Sequence, residues 1–366
     1  MKNRLTNKAP LVNQLDIDMV LLNWYDENAR TLSWRVAPRD SKMGVKPDPY
    51  RVWLSEIMLQ QTGVKVVEPY FQKFVRKWPK IPDLYKATET EVLAAWSGLG
   101  YYSRARNLKA CAEIVYTKYQ GNFPQDESLL LKLPGIGKYT SAAILTIAFG
   151  IPAIVVDGNI ERIVARLFNL QDTLEKLRPQ IYKKVSSFSP KIRPGDFAQA
   201  MMDLGATVCK PKNPLCTKCP IQNFCNAFSK GNTAIIPKKA KKKIRILKKG
   251  YVYIGLTKTK KIAMVVRPKN GLLGGMTCPP SSEWKPNNFP ENMPPITGSW
   301  TMLKQTVKHT FTHFDLELKV MFSYISEVPE TYISKTLNQS LITSTPTVMR
   351  KAILAAVNYE KTNVVW

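Results

Sequence analysis

The spacing of apolar residues changes once along this chain, and that change constrains the fold more than any other feature of the sequence. From about residue 15 to residue 228 apolar side chains recur at intervals of three and four, with Gly and Pro at the breaks, which predicts helices. Beyond Gly250 the interval becomes two, which predicts strands. The clearest helical stretches are 52–61, 91–96, 104–119, 139–149 and 160–168, and the clearest strands are 251–254, 262–266 and 314–322, before a closing helix at 347–357. We therefore predict a mostly α N-terminal part and a separate α+β C-terminal domain.

Charge sets the boundaries between these parts. Lysines and arginines crowd the stretch from 238 to 249, and such a run predicts a solvated linker rather than a buried element. We place a tail at 1–14, a helical domain at 15–228, a basic linker at 229–249 and the C-terminal domain at 250–366. A chain of 366 residues is long enough for two such domains.

The overall charge points to a polyanionic partner. The chain carries 54 Lys and Arg against 27 Asp and Glu, a formal net charge of +27. A charge of this size attracts nucleic acid from a distance, although a generally basic proteome would also produce it. The basic first ten residues are followed by no apolar core of a secretory signal, and no run reaches membrane-spanning length. We therefore expect a cytosolic protein, nucleoid-associated in a bacterium, with no signal peptide and no membrane partner.

Four of the six cysteines lie close together, at Cys209, Cys216, Cys219 and Cys225. In a reducing compartment such a group indicates a metal site more than disulfides. The separations of six, two and five residues suit an iron-sulfur cluster that takes four thiolates from a short loop. Zinc is the alternative, but structural zinc sites usually use two close pairs, and only Cys216 and Cys219 form one. The basic segment 210–214 would then face a DNA phosphate.

A short glycine-containing turn separates two helical stretches at 133–138, with the sequence Leu-Pro-Gly-Ile-Gly-Lys. Gly135 and Gly137 allow a tight turn with bare amides, and Lys138 opens the next helix. Amides next to a helix N-terminus favour an anion, so we predict contact with a DNA phosphate. An ordinary helix-helix turn is the alternative.

Glu56 lies among large apolar residues of a predicted helix. Burial disfavours the charged form of a carboxyl group, and a neutral carboxyl can act as a general acid. The alternative is a boundary residue that faces solvent. Gln60 and Gln61 follow at the end of the helix, where neutral amides could enter the space left by an extruded base.

A second carboxylate, Asp157, stands between the apolar run 151–156 and a predicted helix. Asp is a good N-cap there, and the Asp157-Gly158-Asn159 sequence fits one. A cap also holds the carboxylate rigidly, and a rigid carboxylate stabilises the cationic transition state of glycosidic cleavage. Both roles are compatible.

The segments at 53–62, 98–108, 133–138 and 156–159, with the four cysteines, resemble the adenine DNA glycosylases of the MutY type. These belong to the helix-hairpin-helix superfamily, which also includes endonuclease III. The resemblance covers nearly all of residues 15–228 and implies a helix-hairpin-helix glycosylase fold with a 4Fe-4S cluster. It implies a monomeric, monofunctional enzyme of base excision repair that acts on double-stranded DNA. Such an enzyme excises adenine opposite 8-oxoguanine or guanine by hydrolysing the N-glycosidic bond.

The resemblance also implies individual roles. Glu56 would protonate the adenine ring, and Asp157, helped by Asn159, would stabilise or capture the sugar cation. Tyr139 stands where related lyases carry a Schiff-base lysine, so strand nicking is not expected. The remaining implied contacts are Trp34 and Arg35 in the adenine pocket, Gln199 at the base edge, and Gln61 and Tyr101 as fillers of the base stack. The segment 37–49, between Arg35 and the Glu56 helix, is longer than in the family.

The C-terminal domain resembles the family's MutT-like (Nudix-like) reader of 8-oxoguanine. The family's Phe-Ser-His loop corresponds to Phe311, Thr312 and His313, which keep an aromatic ring, a hydroxyl and an imidazole. No run of paired Glu and Arg has the Nudix-box spacing, so nucleotide hydrolysis is not expected. Thr277-Cys278 replaces the family's Trp-Glu pair.

Two other functions are compatible with the sequence. One is an endonuclease III-like bifunctional glycosylase and lyase, which Tyr139 and the reader domain disfavour. The other is a non-catalytic iron-sulfur DNA-binding protein, which would need neither Glu56 nor Asp157.

Overall fold

The computed structural model describes residues 14–187, 190–239, 244–268 and 271–363. The predicted tail at 1–14 lies almost entirely outside these ranges, as do Lys241, Lys242 and Lys243 of the predicted linker. The chain forms two compact units: Met1–Lys86 with Asn107–Lys241, and Ala87–Arg106 with Lys242–Trp366.

Helices dominate the chain up to residue 229. In chain order they are α1 Gln14–Asn28, α2 Pro38–Lys42, α3 Pro49–Leu59, α4 Val64–Lys77, α5 Ile81–Lys86, α6 Glu89–Trp96, α7 Ser103–Tyr119, α8 Glu127–Leu130, α9 Lys138–Ala143, α10 Gly158–Leu167, α11 Leu174–Ser186, α12 Pro194–Thr207 and α13 Asn226–Ser229. The predicted helical N-terminal part is therefore confirmed. Across the described ranges, no helix is both long enough and apolar enough to cross a membrane.

Local sequence signals explain where the functional helices begin. The Asp48 side chain caps α3 by accepting a hydrogen bond from the Tyr50 backbone N–H, and Pro49 occupies the first turn. The Asp157 side chain caps α10 in the same way, by accepting from the backbone N–H of Ile160. Both helices then bury most of their residues, so each cap fixes the start of a core helix.

Two predicted helices differ in detail from the structure. The helix expected at 139–149 consists of α9 followed by a π-helical segment, Ile144–Ala148. The helix expected to reach residue 61 ends at Leu59. Gln61 then adopts a left-handed backbone conformation with φ of 57°, which a regular helix does not contain.

The second unit contains a seven-stranded mixed sheet. Its strands are β1 Ile246–Leu256, β2 Lys261–Val266, β3 Thr277–Cys278, β4 Lys285–Pro286, β5 Thr301–Thr310, β6 Phe314–Tyr324 and β7 Ile333–Thr336. The order is β3-β2-β1-β6-β5, while β4 pairs with β1 and β7 pairs with β2. The pair β1 and β6 is parallel, in register from Ile246 opposite Phe314 to Leu256 opposite Tyr324, and the other pairs are antiparallel.

Two helices, α14 Gln339–Ser344 and α15 Thr347–Asn363, complete this unit, and α15 packs on the sheet. The predicted alternation in β6 is present from Leu316 to Val320, because Leu316, Leu318 and Val320 are buried whereas Glu317 and Lys319 are partly exposed. The α+β prediction for the C-terminal domain is confirmed.

The stretch expected to be a linker is partly structured. Ile236 is buried, and its carbonyl accepts a hydrogen bond from Arg166 Nε at 2.9 Å. At the other end β1 begins at Ile246, so residues 246–249 form a strand despite their lysines. Pairing with β6, which is distant in sequence, provides the backbone partners that the charge run did not reveal.

Candidate functional site

Most of the predicted substrate residues line one cavity of the first unit. Its volume is about 450 Å³. The predicted residues on its wall are Trp34, Arg35, Glu56, Gln60, Gln61, Tyr139, Asp157, Asn159 and Gln199. Residues from five separate parts of the sequence thus meet at one place.

Glu56 is the buried acid of this cavity. Its side chain comes from α3, and the residue is only 6% exposed. The Tyr139 hydroxyl donates a hydrogen bond to Glu56 Oε2 at 2.7 Å. Burial raises the pKa of Glu56 to about 7, and nearby Asp157 adds to the rise, while the Tyr139 hydrogen bond and Arg35 oppose it. Near neutral pH a large fraction of this carboxyl group is therefore protonated. Tyr139 occupies Oε2, which leaves Oε1 as the oxygen that can carry the proton.

Asp157 is held by hydrogen bonds to both of its carboxylate oxygens. Oδ1 accepts from Ile160 N–H at 2.7 Å, and Oδ2 accepts from Asn159 Nδ2 at 2.7 Å. Asn159 is fixed in turn, because its Oδ1 accepts from Arg162 Nη2 at 2.8 Å. This chain of contacts orients the carboxylate before any substrate arrives.

A glycine makes this arrangement possible. The same Arg162 Nη2 donates to the backbone carbonyl of Gly205 in α12 at 2.7 Å. A Cβ atom at Gly205 would lie 2.5 Å from Asn159 Cβ, closer than real Cβ atoms approach one another. Only glycine therefore lets α12 come this close to Asn159.

Two arginines of the cavity wall, Arg30 and Arg35, pair with a buried carboxylate, Asp203, which was missed from the sequence. Asp203 Oδ1 and Oδ2 accept from Arg35 Nη1 at 2.9 and 2.8 Å, and Asp203 also accepts from the Arg30 backbone N–H and Nε. The Asp203 side chain is fully buried. Its one available signal was its position four residues after Gln199, which places both on one face of α12.

Trp34 is buried beside this ion pair. Its ring lies 5.2 Å from the Phe71 ring of α4 in an edge-to-face arrangement. The long segment 37–49 contains α2, and Ser41 Oγ donates to Asp196 Oδ2 at 2.9 Å. The extra residues are thus anchored to the start of α12, and they leave Trp34 and Arg35 in the cavity.

The two residues predicted to fill the base stack share an unusual backbone conformation. Gln61 of the first unit has φ of 57° and Tyr101 of the second unit has φ of 48°, in the left-handed region that non-glycine residues rarely occupy. Gln61 lines the cavity and is exposed. Strained backbone of this kind is typical of functional positions.

The predicted hairpin is a turn between α8 and α9. Gly135 has φ of 80°, and Gly137 precedes the first residue of α9, Lys138, whose side chain is exposed. A Cβ atom at Gly135 would lie 3.0 Å from Asn107 Cβ, so the turn packs tightly on α7. The exposed amides and Lys138 fit the predicted contact with an anion.

The four cysteines line one small pocket together with Arg166. Arg166 is 2% exposed, and its Nη1 donates to Cys209 Sγ at 3.2 Å and to the Lys210 carbonyl at 2.8 Å. Among the described residues, no group of three or more His, Cys, Asp or Glu side chains is placed to hold a metal ion. The other two cysteines, Cys111 and Cys278, are buried elsewhere.

The predicted reader loop lies in the second unit, at the turn between β5 and β6. Phe311 N–H donates to the Phe314 carbonyl at 2.9 Å and closes the turn. A cavity of about 460 Å³ is lined by Phe311, Thr312, His313 and Tyr101, and the Tyr101 and Thr312 hydroxyls lie 2.5 Å apart. The Trp284 ring stacks on Phe311 with 6.2 Å between centroids.

Comparison with known proteins agrees with this architecture. Residues 54–189 match the HhH-GPD superfamily of base excision DNA repair proteins, and residues 251–355 match the NUDIX domain. A thermostable thymine-DNA glycosylase structure superposes with a TM-score of 0.52 and 28% identity, over 59% of this chain and 97% of that one. The helical fold and the superfamily match define a DNA glycosylase of base excision repair.

Relatives identify the family. An adenine DNA glycosylase of Buchnera aphidicola subsp. Baizongia pistaciae is 36% identical over 261 residues, which are 71% of this chain and 72% of that protein. Those of Mus musculus and Homo sapiens are 42% and 43% identical over 57% of this chain, and the match spans 41% and 38% of their lengths. The chain belongs to the adenine DNA glycosylase family.

The environment of Glu56 predicts its titration. We expect Glu56 to titrate near pH 7 instead of near its ordinary value of 4.5, and Tyr139→Phe to raise the pKa further. The reason is that the phenol hydrogen bond stabilises the charged carboxylate. Carbon-13 NMR of protein labelled at the Glu carboxyl groups measures both values, with Glu56→Gln to assign the signal. Titration near 4.5, or no shift in Tyr139→Phe, would contradict the geometry described for Oε2.

Proposed function

We propose that the protein excises adenine from double-stranded DNA in which the adenine lies opposite 8-oxoguanine or guanine, by hydrolysing its N-glycosidic bond. The observation that carries this proposal is the buried, readily protonated Glu56 in one cavity with the rigid carboxylate of Asp157. The cavity has the volume of a small-molecule site, and an extruded nucleobase needs such a site. The family membership supports adenine as the base.

Glu56 is the proposed general acid. Departure of adenine as an anion is unfavourable, so a proton must reach the ring during bond cleavage. A carboxyl group with a pKa of about 7 is matched to that task at neutral pH. Tyr139 occupies Oε2 and leaves the proton on Oε1 for the base.

Asp157 is the proposed partner of the sugar. Loss of the base leaves positive charge on the sugar ring, which a fixed carboxylate stabilises without reorganisation. The Asn159 and Arg162 contacts support this role, because they hold the carboxylate in one orientation. Stabilisation of the cation and covalent capture both agree with this geometry.

The base-binding wall consists of unlike groups with separate tasks. Trp34 offers an aromatic face, Arg35 a guanidinium held by Asp203, and Gln199 an amide for the base edge. Gln60 and Gln61 are proposed to act where the extruded base leaves the stack. Polar groups set among apolar side chains, as on this wall, are typical of specific ligand sites.

We propose that base removal is not coupled to strand cleavage. A lyase needs an amine nucleophile that forms a Schiff base with the sugar. Tyr139 lies beside Glu56 in the cavity and cannot supply one, whereas Lys138 is exposed at the start of α9 and does not line the cavity.

Single-turnover cleavage of a duplex with adenine opposite 8-oxoguanine tests this function. We expect product only after hot alkali, and we expect Glu56→Gln to lower the rate at least about a hundredfold while DNA affinity stays within a few-fold. Glu161→Gln is the matched control, because Glu161 is also buried but lies outside the cavity. Nicking without alkali would favour the lyase, and full excision by Glu56→Gln would remove Glu56 from the mechanism.

The loop of Phe311, Thr312 and His313 is the proposed reader of 8-oxoguanine. It presents an aromatic ring, a hydroxyl and an imidazole at an exposed turn, with Trp284 stacked behind Phe311. These groups suit stacking against a base and hydrogen bonding to its edge.

Removal of reader side chains should bring the excision rates of adenine opposite 8-oxoguanine and opposite guanine closer together. We expect Phe311→Ala and His313→Ala each to reduce the ratio of excision rates opposite 8-oxoguanine and guanine about fivefold, the effect of about 1 kcal/mol. Excision opposite guanine serves as the internal control, since it should change little. An unchanged ratio in both variants would refute the reader assignment.

We propose that the four cysteines hold a 4Fe-4S cluster. They share one pocket, yet they are not gathered around one point as a single ion requires. In a cubic cluster each thiolate binds its own iron, so the sulfurs lie further apart than around zinc. The Arg166 contact to Cys209 suits a thiolate ligand. When bound, the cluster would supply structural support for the basic segment 210–214.

Iron analysis of purified protein tests the cluster. We expect about four iron atoms per chain, and loss of iron in Cys216→Ser. Cys278→Ser is the matched control, because Cys278 is a thiol buried outside the pocket. One zinc ion in place of iron would overturn the assignment.

We further propose that the enzyme acts as a monomer in the cytosol, or at the nucleoid of a bacterium. The net charge of +27 supports residence on DNA, and the group of cysteines suits a reducing compartment.

A further inference from the structure

We propose that a row of lysines on the sheet of the second unit binds the phosphodiester backbone of duplex DNA. The row consists of Lys285, Lys249, Lys308 and Lys319 and is called the lysine band below. Its partner is the strand backbone that runs past the turn at 311–313, so the inference rests on the proposed function of that turn.

Strand register places these lysines on one face. Lys285 of β4 is opposite Lys249 of β1. Lys249 is also opposite Glu317 of β6, on its other side. Glu317 is in turn opposite Lys308 of β5. Side chains of directly opposite residues point to the same side of a sheet. Neighbouring strands lie about 4.8 Å apart, so this row spans about 14 Å. Lys319 lies two residues beyond Glu317 and shares its face.

An aromatic ring holds two of the ammonium groups. Lys319 Nζ lies 4.4 Å and Lys249 Nζ 5.5 Å from the centre of the Phe289 ring. The ring itself packs 5.5 Å from Tyr251 of β1. Cation–π contacts restrict long side chains that would otherwise move freely. Two positive charges are therefore held side by side, which lowers the entropic cost of binding an anion.

The band keeps a net positive charge. Glu317 is the one carboxylate in the row. Within the described part of the chain, no ion pair joins any of the four lysines to a carboxylate. Lysines also protect exposed sheet edges, but Lys249 and Lys319 lie on the two central strands. Edge protection therefore does not account for the band.

The band lies on the strands that carry the reader turn. Lys308 precedes Phe311 by three residues on β5, and Lys319 follows His313 by six residues on β6. With a rise of about 3.3 Å per residue, these lysines lie roughly 10 to 20 Å along the sheet from the turn. A DNA strand rises about 3.4 Å per nucleotide, so a surface of 14 Å spans roughly four phosphates.

The salt dependence of duplex binding tests the band. The band variant combines Lys249→Gln, Lys308→Gln and Lys319→Gln. The control variant combines Lys258→Gln, Lys261→Gln and Lys335→Gln. These control lysines are exposed and lie in the turn before β2, in β2 and in β7. Each phosphate contact contributes about 0.9 to the slope of log affinity against log salt concentration. We expect the slope to fall by about 2 to 3 in the band variant and by less than about 1 in the control.

Two further measurements make the outcome decisive. Lysine-to-arginine changes at the same three band positions should keep the slope, because they keep the charges, and thermal unfolding checks that all variants fold. Equal slope changes in both glutamine variants, or no change in the band variant, would overturn the proposal. If the unaltered protein excises no adenine, the proposed function fails while the comparison of slopes still stands.

Discussion

The pairing of the buried Asp203 carboxylate with Arg30 and Arg35 is the interaction on which the rest of the first unit depends. A fully buried charge is costly unless it is paired and hydrogen-bonded. Arg35 and Arg30 together meet this requirement with four hydrogen bonds. Removal of one partner from such a pair typically costs about 3 to 5 kcal/mol, so the segment that carries both arginines cannot leave α12. This attachment also fixes Trp34, which directly precedes Arg35 in the chain.

A second pair of arginines joins the cavity to the cysteine loop. Arg162 and Arg166 lie one turn apart on α10, the helix that Asp157 caps. Arg162 contacts both Asn159 Oδ1 and the Cys209 carbonyl, and Arg166 contacts Cys209 Sγ. The proposed catalytic carboxylate and the first proposed cluster ligand are therefore connected through one rigid helix. A change in the loop would reach Asp157 by way of these two side chains.

The sequence predicted those parts of the structure that depend on local pattern. Helical periodicity located the helices to within a few residues, and the Asp157 cap followed from the residue type before an apolar helix. The sequence did not predict the features that depend on tertiary contacts. Asp203 was not predicted, because its partners Arg30 and Arg35 lie far away in sequence. The first residues of β1 were predicted as linker because they belong to a lysine-rich run. They form a strand because they pair with β6, which is distant in sequence. The π-helical turn at 144–148 has no simple signal in composition.

Gly205 shows how a residue without a functional group can fix the orientation of residues that have one. Asn159 occupies the space that a side chain at position 205 would need, and Asn159 orients Asp157. A side chain at position 205 would therefore disturb the orientation of Asp157, the proposed catalytic carboxylate. A catalogue of variants that scores only residues touching the base would class position 205 as neutral. The close approach of the two helices predicts that changes at this position belong with changes of the proposed catalytic groups.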